Sequence, residues 1–239
     1  GRLENGSHQP KCAHRVLPGD LRRGRSGLRK PRRKPKPGEP KRTTAPEGVI
    51  AQLVATLKAR SGEPLPNDLE ARMNGILLHT AVIKSAGLGL LGDITNIRAA
   101  GDGSVVPSYS NSWGKATCNC RQQGIYECDH ERIYADADAD SGWDNAEKNF
   151  IWGYRYYQLV CGTGKHDLPL TLSEAAANKH EAVMFLELLD RFRKQNQRLW
   201  PGAKIGELAL DAIHDAKALC QSLYDDDIRY AIPFMNQPP

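Results

Sequence analysis

The chain has 239 residues, 40% of them hydrophobic and 26% charged, enough for a buried core in one medium domain or two small ones. No stretch approaches the roughly 18–20 consecutive apolar residues of a membrane span, no charged start followed by an apolar run marks a secretory leader, and six cysteines are too few for a small disulfide scaffold. The net charge of +5 is unevenly placed: residues 1–45 hold 14 Lys and Arg against three acids, or +11, which leaves −6 on the rest of the chain.

The basic segment comes first in chain order. Arg22, Arg23, Arg25, Arg32, Arg33, Lys34 and Lys36 are interspersed with Gly and Pro. That composition makes neither a helix nor a core, so residues 1–45 are expected to form a disordered tail. Its cations suit the phosphates of nucleic acid; a solvated linker is the plainer alternative.

Residues 46–92 are expected to be helical. Ile50, Leu53, Val54 and Leu57 recur at helical spacing over 47–60, and Gly62 and Pro64 end that run. A second helix is expected after Asn67, an N-cap residue type, with Asp68 and Glu70 in its first turn and an end at Gly87 and Gly89. Residues 97–106 suggest a strand interrupted by Gly101-Asp102-Gly103, or a hairpin around it. Residues 107–148 are rich in loop formers. Strands are then expected at 150–161, 168–172, 205–210 and 228–234, and helices at 180–195 and 213–223. The alternation after residue 150 implies an α/β layer with parallel pairing in its second half.

Four constellations carry chemistry. Asp102 and Asp211 are expected at strand ends, and carboxyl ends of strands in α/β sheets are where metals and ligands gather. Two such carboxylates from different strands suit Mg²⁺, which activates water or a 3′-hydroxyl toward phosphate; ordinary turn aspartates are the alternative. Cys118-x-Cys120 and Cys128-x-His130 place four soft ligands within 13 residues, a set that suits tetrahedral Zn²⁺. Free thiols or disulfides are the alternatives, and the isolated Cys161 and Cys220 fit buried apolar elements. Asp136, Asp138, Asp140 and Glu147 match acidic positions of a calcium loop, but Ser141 occupies the place that requires glycine, so an acidic solvated loop is the simpler expectation. Cys161-Gly162-Thr163-Gly164-Lys165 lacks the first glycine of a phosphate loop and the Ser or Thr after its lysine. His180, ahead of the 180–195 helix, reads as a capping residue or as a group near a bound phosphate.

Taken together, these segments resemble the DDE transposases of bacterial insertion sequences. The resemblance covers roughly residues 30–239 and rests on the Lys/Pro stretch, Gly101-Asp102-Gly103-Ser104, Tyr109-Ser110-Asn111-Ser112-Trp113-Gly114-Lys115, Cys118-Asn119-Cys120, Gly142-Trp143-Asp144, Asn178-Lys179-His180-Glu181 and Leu210-Asp211-Ala212-Ile213-His214-Asp215. It implies an α/β catalytic domain over 93–239, an RNase H-like mixed sheet flanked by helices, with 107–148 as a Cys/His-containing insertion. It also implies Asp102 and Asp211 as the first two catalytic carboxylates, two Mg²⁺ ions, and strand cleavage followed by strand transfer. DNA as partner, two copies of the chain acting on it, and a bacterial cytoplasmic, nucleoid-associated setting belong to the same expectation. Ser104 stands where the family has Thr, and Glu181 where Asp is common. The family's third acid, a Glu on a downstream helix, has no counterpart before Pro239, so a truncated and incomplete enzyme is expected. The rival expectation is a zinc-stapled DNA-binding module without catalysis.

Overall fold

The computed structural model describes residues 27–29, 47–126, 128–162 and 166–234. The seven cations singled out in the basic segment lie outside these residues, as do residues 163–165 of the 161–166 glycine stretch. Within the segment expected to be a tail, Leu28–Arg29 is a short strand, β1.

The helical segment begins with α1, Glu47–Ala59. The second helix starts one residue later than the sequence suggested. Asp68, not Asn67, is the cap: its carboxylate accepts the backbone N–H of Ala71 at 2.9 Å, and α2 spans Leu69–Leu77. A π-helical turn, Leu78–Val82, continues it into α3, Ile83–Gly87. These helices share one core with the sheet, since Ile50, Leu78, Val82 and Leu91 are buried together with Leu159, Leu188 and Leu208. Asn74 fastens α2 to the sheet. Its side-chain N–H donates to the carbonyl of Leu172 at 2.7 Å, and its oxygen accepts from the Leu172 N–H and the Thr171 hydroxyl at 2.9 and 3.0 Å.

The sheet is built on β2, Ile97–Pro107, and β6, Asn149–Cys161, which pair antiparallel with Asp102 opposite Gln158. Strand β7, Leu168–Ala176, lies antiparallel to β6. On its other edge β2 runs parallel to β8, Ile205–Leu210, and β8 parallel to β9, Arg229–Ala231. Short β5, Asp140–Asp144, pairs with the first five residues of β6. This is the mixed sheet flanked by helices expected from the sequence. Parallel pairing needs a crossover, and α4, Glu181–Leu199, provides the one between β7 and β8. Phe185, Leu188, Leu189 and Phe192 bury α4 against the sheet. The last helix, expected at 213–223, is a 3₁₀ turn, Ala212–His214, followed by α5, Lys217–Asp225.

One local expectation is corrected. Gly101-Asp102-Gly103 neither breaks β2 nor turns a hairpin; the strand runs straight through it. The glycines serve close packing instead. A Cβ on Gly101 would stand 2.5 Å from the Tyr157 hydroxyl oxygen and 2.8 Å from Leu210 Cδ2, and one on Gly103 would stand 3.0 Å from the Tyr157 ring and 3.2 Å from Glu181.

Candidate functional site

The Asp102–Asp211 site follows from the β2–β8 register. Gly101 is the parallel partner of Leu210, so the next residues, Asp102 and Asp211, emerge at the same level of two adjacent strands. Neighbouring strands lie about 4.8 Å apart, which brings the two residues close together although 109 positions separate them in sequence. Asp102 lies within β2, not at a strand end as expected, because β2 continues to Pro107 along β6. Both are accessible to solvent. Asp102 accepts the N–H of Gly103 at 2.8 Å.

Asp211 is held from beneath. His214 is fully buried, and its Nδ1 lies 2.5 Å from Asp211 Oδ1 while its Nε2 lies 2.9 Å from the Tyr157 hydroxyl. Burial keeps the imidazole pKa below the ordinary histidine value, against the opposing pull of Asp211. A neutral ring satisfies both contacts in one arrangement: Nδ1–H donates to the carboxylate and the tyrosine O–H donates to Nε2. Burial, with the charges of Glu181, Asp211 and Asp102 added to it, pushes the Tyr157 hydroxyl pKa far upward.

A third acid joins these two, Glu181, which the sequence placed in the Asn178-Lys179-His180-Glu181 segment without giving it a role in the site. Glu181 opens α4 beside the Gly103 backbone. Its pKa is raised, first by burial; Arg155 opposes the shift, and the nearby charges of Asp211 and Asp102 add to it. Arg155 is its ion-pair partner. Its signals in the sequence were that segment and its position, an acid in the first turn after a capping residue. His180 is that cap, as anticipated, with Nδ1 accepting the Ala182 N–H at 3.2 Å. His180 Nε2 and Arg155 Nε are buried without a hydrogen-bond partner among the described residues.

Cys118, Cys120, Cys128 and His130 form a second candidate site, and they could hold a metal ion: their ligand atoms all lie within 4.8 Å of one another. Cys118 Sγ and Cys128 Sγ are 3.6 Å apart, and Cys120 Sγ and His130 Nδ1 are 3.3 Å apart. A disulfide needs about 2.05 Å, so these are thiols. A tetrahedral ion with bonds of about 2.3 Å to sulfur and about 2.0 Å to nitrogen would set its ligands roughly 3.8 and 3.5 Å apart, close to both separations. The Cys120 backbone N–H lowers the Cys118 pKa, whereas the neighbouring Cys118 sulfur pushes Cys120 up to about 11.

The acidic loop is engaged elsewhere. Asp136 accepts the hydroxyls of Ser108 and Tyr154, and Asp140 is buried in β5, where it binds Arg29 and Asn178. These carboxylates face different partners instead of one centre. No helix among the described residues is long and apolar enough to cross a membrane. Compared with protein-family models, curated proteins and solved structures, the chain matches none of them.

Proposed function

We propose that this chain is the RNase H-like part of a DDE transposase of the insertion-sequence kind, cleaving DNA strands and transferring them with divalent metal ions. The observation that carries this reading is the Gly101–Leu210 register, which puts Asp102, midway along β2, level with Asp211, the first residue after the parallel strand β8. Hard oxygen ligands so placed suit Mg²⁺. When bound, a metal pair supplies an activated water or 3′-hydroxyl and stabilises the leaving oxygen.

The chain's own residues have distinct parts in this reading. Asp102 and Asp211 are the metal ligands. His214, locked by Tyr157, fixes the direction of the Asp211 carboxylate. The basic residues Arg22, Arg23, Arg25, Arg32, Arg33, Lys34 and Lys36 would neutralise DNA phosphates without reading sequence. The Cys118, Cys120, Cys128 and His130 set would take Zn²⁺ as a structural ion, because three thiolates and an imidazole at tetrahedral spacing leave no open position for chemistry.

The test is Mg²⁺-dependent nicking of duplex DNA by a protein that contains this chain. Asp102→Asn and Asp211→Asn should each abolish nicking and leave salt-sensitive DNA binding intact. Nicking that survives either change would refute the reading. The Cys/His cluster favours a second reading, a zinc-stapled DNA-binding module with no catalysis. One zinc per chain, DNA binding, and no nicking under any divalent ion would establish it.

A further inference from the structure

The Cys/His cluster closes a hairpin whose far edge holds the N-terminal segment. Strands β3, Lys115–Ala116, and β4, Arg132–Ile133, pair antiparallel, with Ala116 opposite Arg132. Cys118 and Cys120 follow β3 by two and four residues, and His130 and Cys128 precede β4 by the same intervals. The four ligands therefore face one another across the open end of the hairpin. The other edge of β4 pairs with β1, Leu28 opposite Ile133 and Arg29 opposite Arg132, and the Tyr134 N–H donates to the Gly27 carbonyl at 2.7 Å.

Arg29 locks this tripeptide in place. Its guanidinium donates to the carbonyl of Ala139 at 2.6 Å and pairs with Asp140 at 2.6 Å. It also lies over the rings of Tyr134 and Trp152, 5.8 and 5.4 Å from their centroids. Tyr134 and Trp152 are themselves stacked, which ties the hairpin to β6. The backbone pairing of Gly27–Arg29 and the Tyr134 contacts depend on where β4 is held, whereas Ala139, Asp140 and Trp152 lie at β5 and in β6.

Two-residue strands cannot hold a hairpin by their own hydrogen bonds. The 15 residues between Ala116 and Arg132 also add a loop-closure cost. A metal cross-link at the base of that loop removes the deficit, because ligands that are scattered in the free loop become one rigid centre. We infer that metal occupancy of the Cys118, Cys120, Cys128 and His130 site governs docking of the N-terminal segment through Arg29. The cluster is then an anchor for the basic arm: docked Gly27–Arg29 lies in sequence between Arg22, Arg23 and Arg25 on one side and Arg32, Arg33, Lys34 and Lys36 on the other. Metal loading ties Gly27–Arg29, which those cations flank in sequence, to the sheet that carries Asp102 and Asp211. The inference rests on the zinc reading of the cluster.

The experiment compares the whole chain loaded with Zn²⁺, the same chain stripped by a chelator, and the Cys128→Ser variant. Tryptic cleavage after Arg29 is timed against a synthetic peptide of residues 20–40, and amide exchange is followed at Tyr134 and in β2 and β6. With zinc, cleavage after Arg29 should be at least tenfold slower than in the peptide and the Tyr134 amide protected. Chelation or Cys128→Ser should return cleavage to within about twofold of the peptide and expose Tyr134 while β2 and β6 stay protected. Arg29→Ala should keep one zinc per chain yet lose the Tyr134 protection. Zinc bound with unchanged cleavage after Arg29 overturns the inference and leaves the zinc reading standing. Loss of protection in β2 and β6 on chelation also overturns it, since the metal would then support the whole sheet. A chain that takes up no zinc overturns both.

Discussion

His214 and Asp211 sit one 3₁₀ turn apart, with Nδ1 of the buried imidazole 2.5 Å from the exposed carboxylate, which has 53% of its side-chain surface accessible. The pair joins the buried core to the exposed end of β8. Replacing His214 with Ala removes the packing of a buried ring against Tyr157 and Phe185 and leaves the Tyr157 hydroxyl without its acceptor. Loss of about 2–4 kcal/mol in denaturant unfolding is expected from the cavity and the stranded hydroxyl together. His214→Asn, which keeps a donor, should lose less stability, and its effect on nicking should exceed its effect on DNA binding.

Acid should weaken the fold through the same residue. The pKa values of His214 and His180 are both lowered by burial, so each binds fewer protons when folded than when unfolded. Stability is then fully present above the unfolded histidine value of about 6.5 and is lost as pH falls below it. Unfolding free energy measured from pH 8 to pH 5 should fall, and His214→Asn should flatten that dependence.

Divalent cations should act on the opposite balance. Burial and the neighbouring charges of Asp211 and Asp102 raise the Glu181 pKa, so its ionised form costs stability as pH rises. A cation bound at Asp102 and Asp211 relieves the repulsion and stabilises the folded state by mass action. Addition of about ten times the dissociation constant of Mn²⁺ should raise stability by roughly 1.4 kcal/mol. Thermal melts should show this rise in the unaltered chain and no rise in an Asp102→Asn, Asp211→Asn double variant.

The two glycines beside Asp102 should differ in their tolerance. Gly103→Ala meets the Tyr157 ring at 3.0 Å and Glu181 at 3.2 Å, contacts that side chains relieve by moving. Gly101→Ala meets the Tyr157 hydroxyl at 2.5 Å and Leu210 at 2.8 Å within the core. Overpacking costs of about 1–3 kcal/mol are expected, with Gly101→Ala the larger in a chemical unfolding series.

Asn74→Ala tests the seam between helices and sheet. The change strands the Leu172 N–H and the Thr171 hydroxyl, each now paired with the Asn74 oxygen. About 2–4 kcal/mol should be lost, and hydrogen exchange should rise in β7 ahead of β2.

The sequence by itself determined the elements that periodicity governs. The apolar spacing of Ile50 to Leu57 and of Leu186 to Phe192 gave helices near their observed places, and the run Ile205–Leu210 gave its strand to the residue. The Cys-x-Cys and Cys-x-His spacing marked out a ligand set that the fold gathers, because the seven residues between the pairs are enough for a local loop to bring them together. Tertiary structure decided what depends on distant partners. Gly-Asp-Gly is locally a turn signal; only the bulk of Tyr157 and Glu181 across the strand shows that these glycines make room instead. The segment that contains Glu181 does not say that this acid faces Gly103 and the charges of Asp102 and Asp211, and Leu28–Arg29 becomes a strand only because β4, about a hundred residues later, offers it an edge. Local pattern records the preferences of a segment for helix, strand or turn. Which side chains share a site depends on register and packing between segments far apart in the chain, and no single window of sequence contains that information.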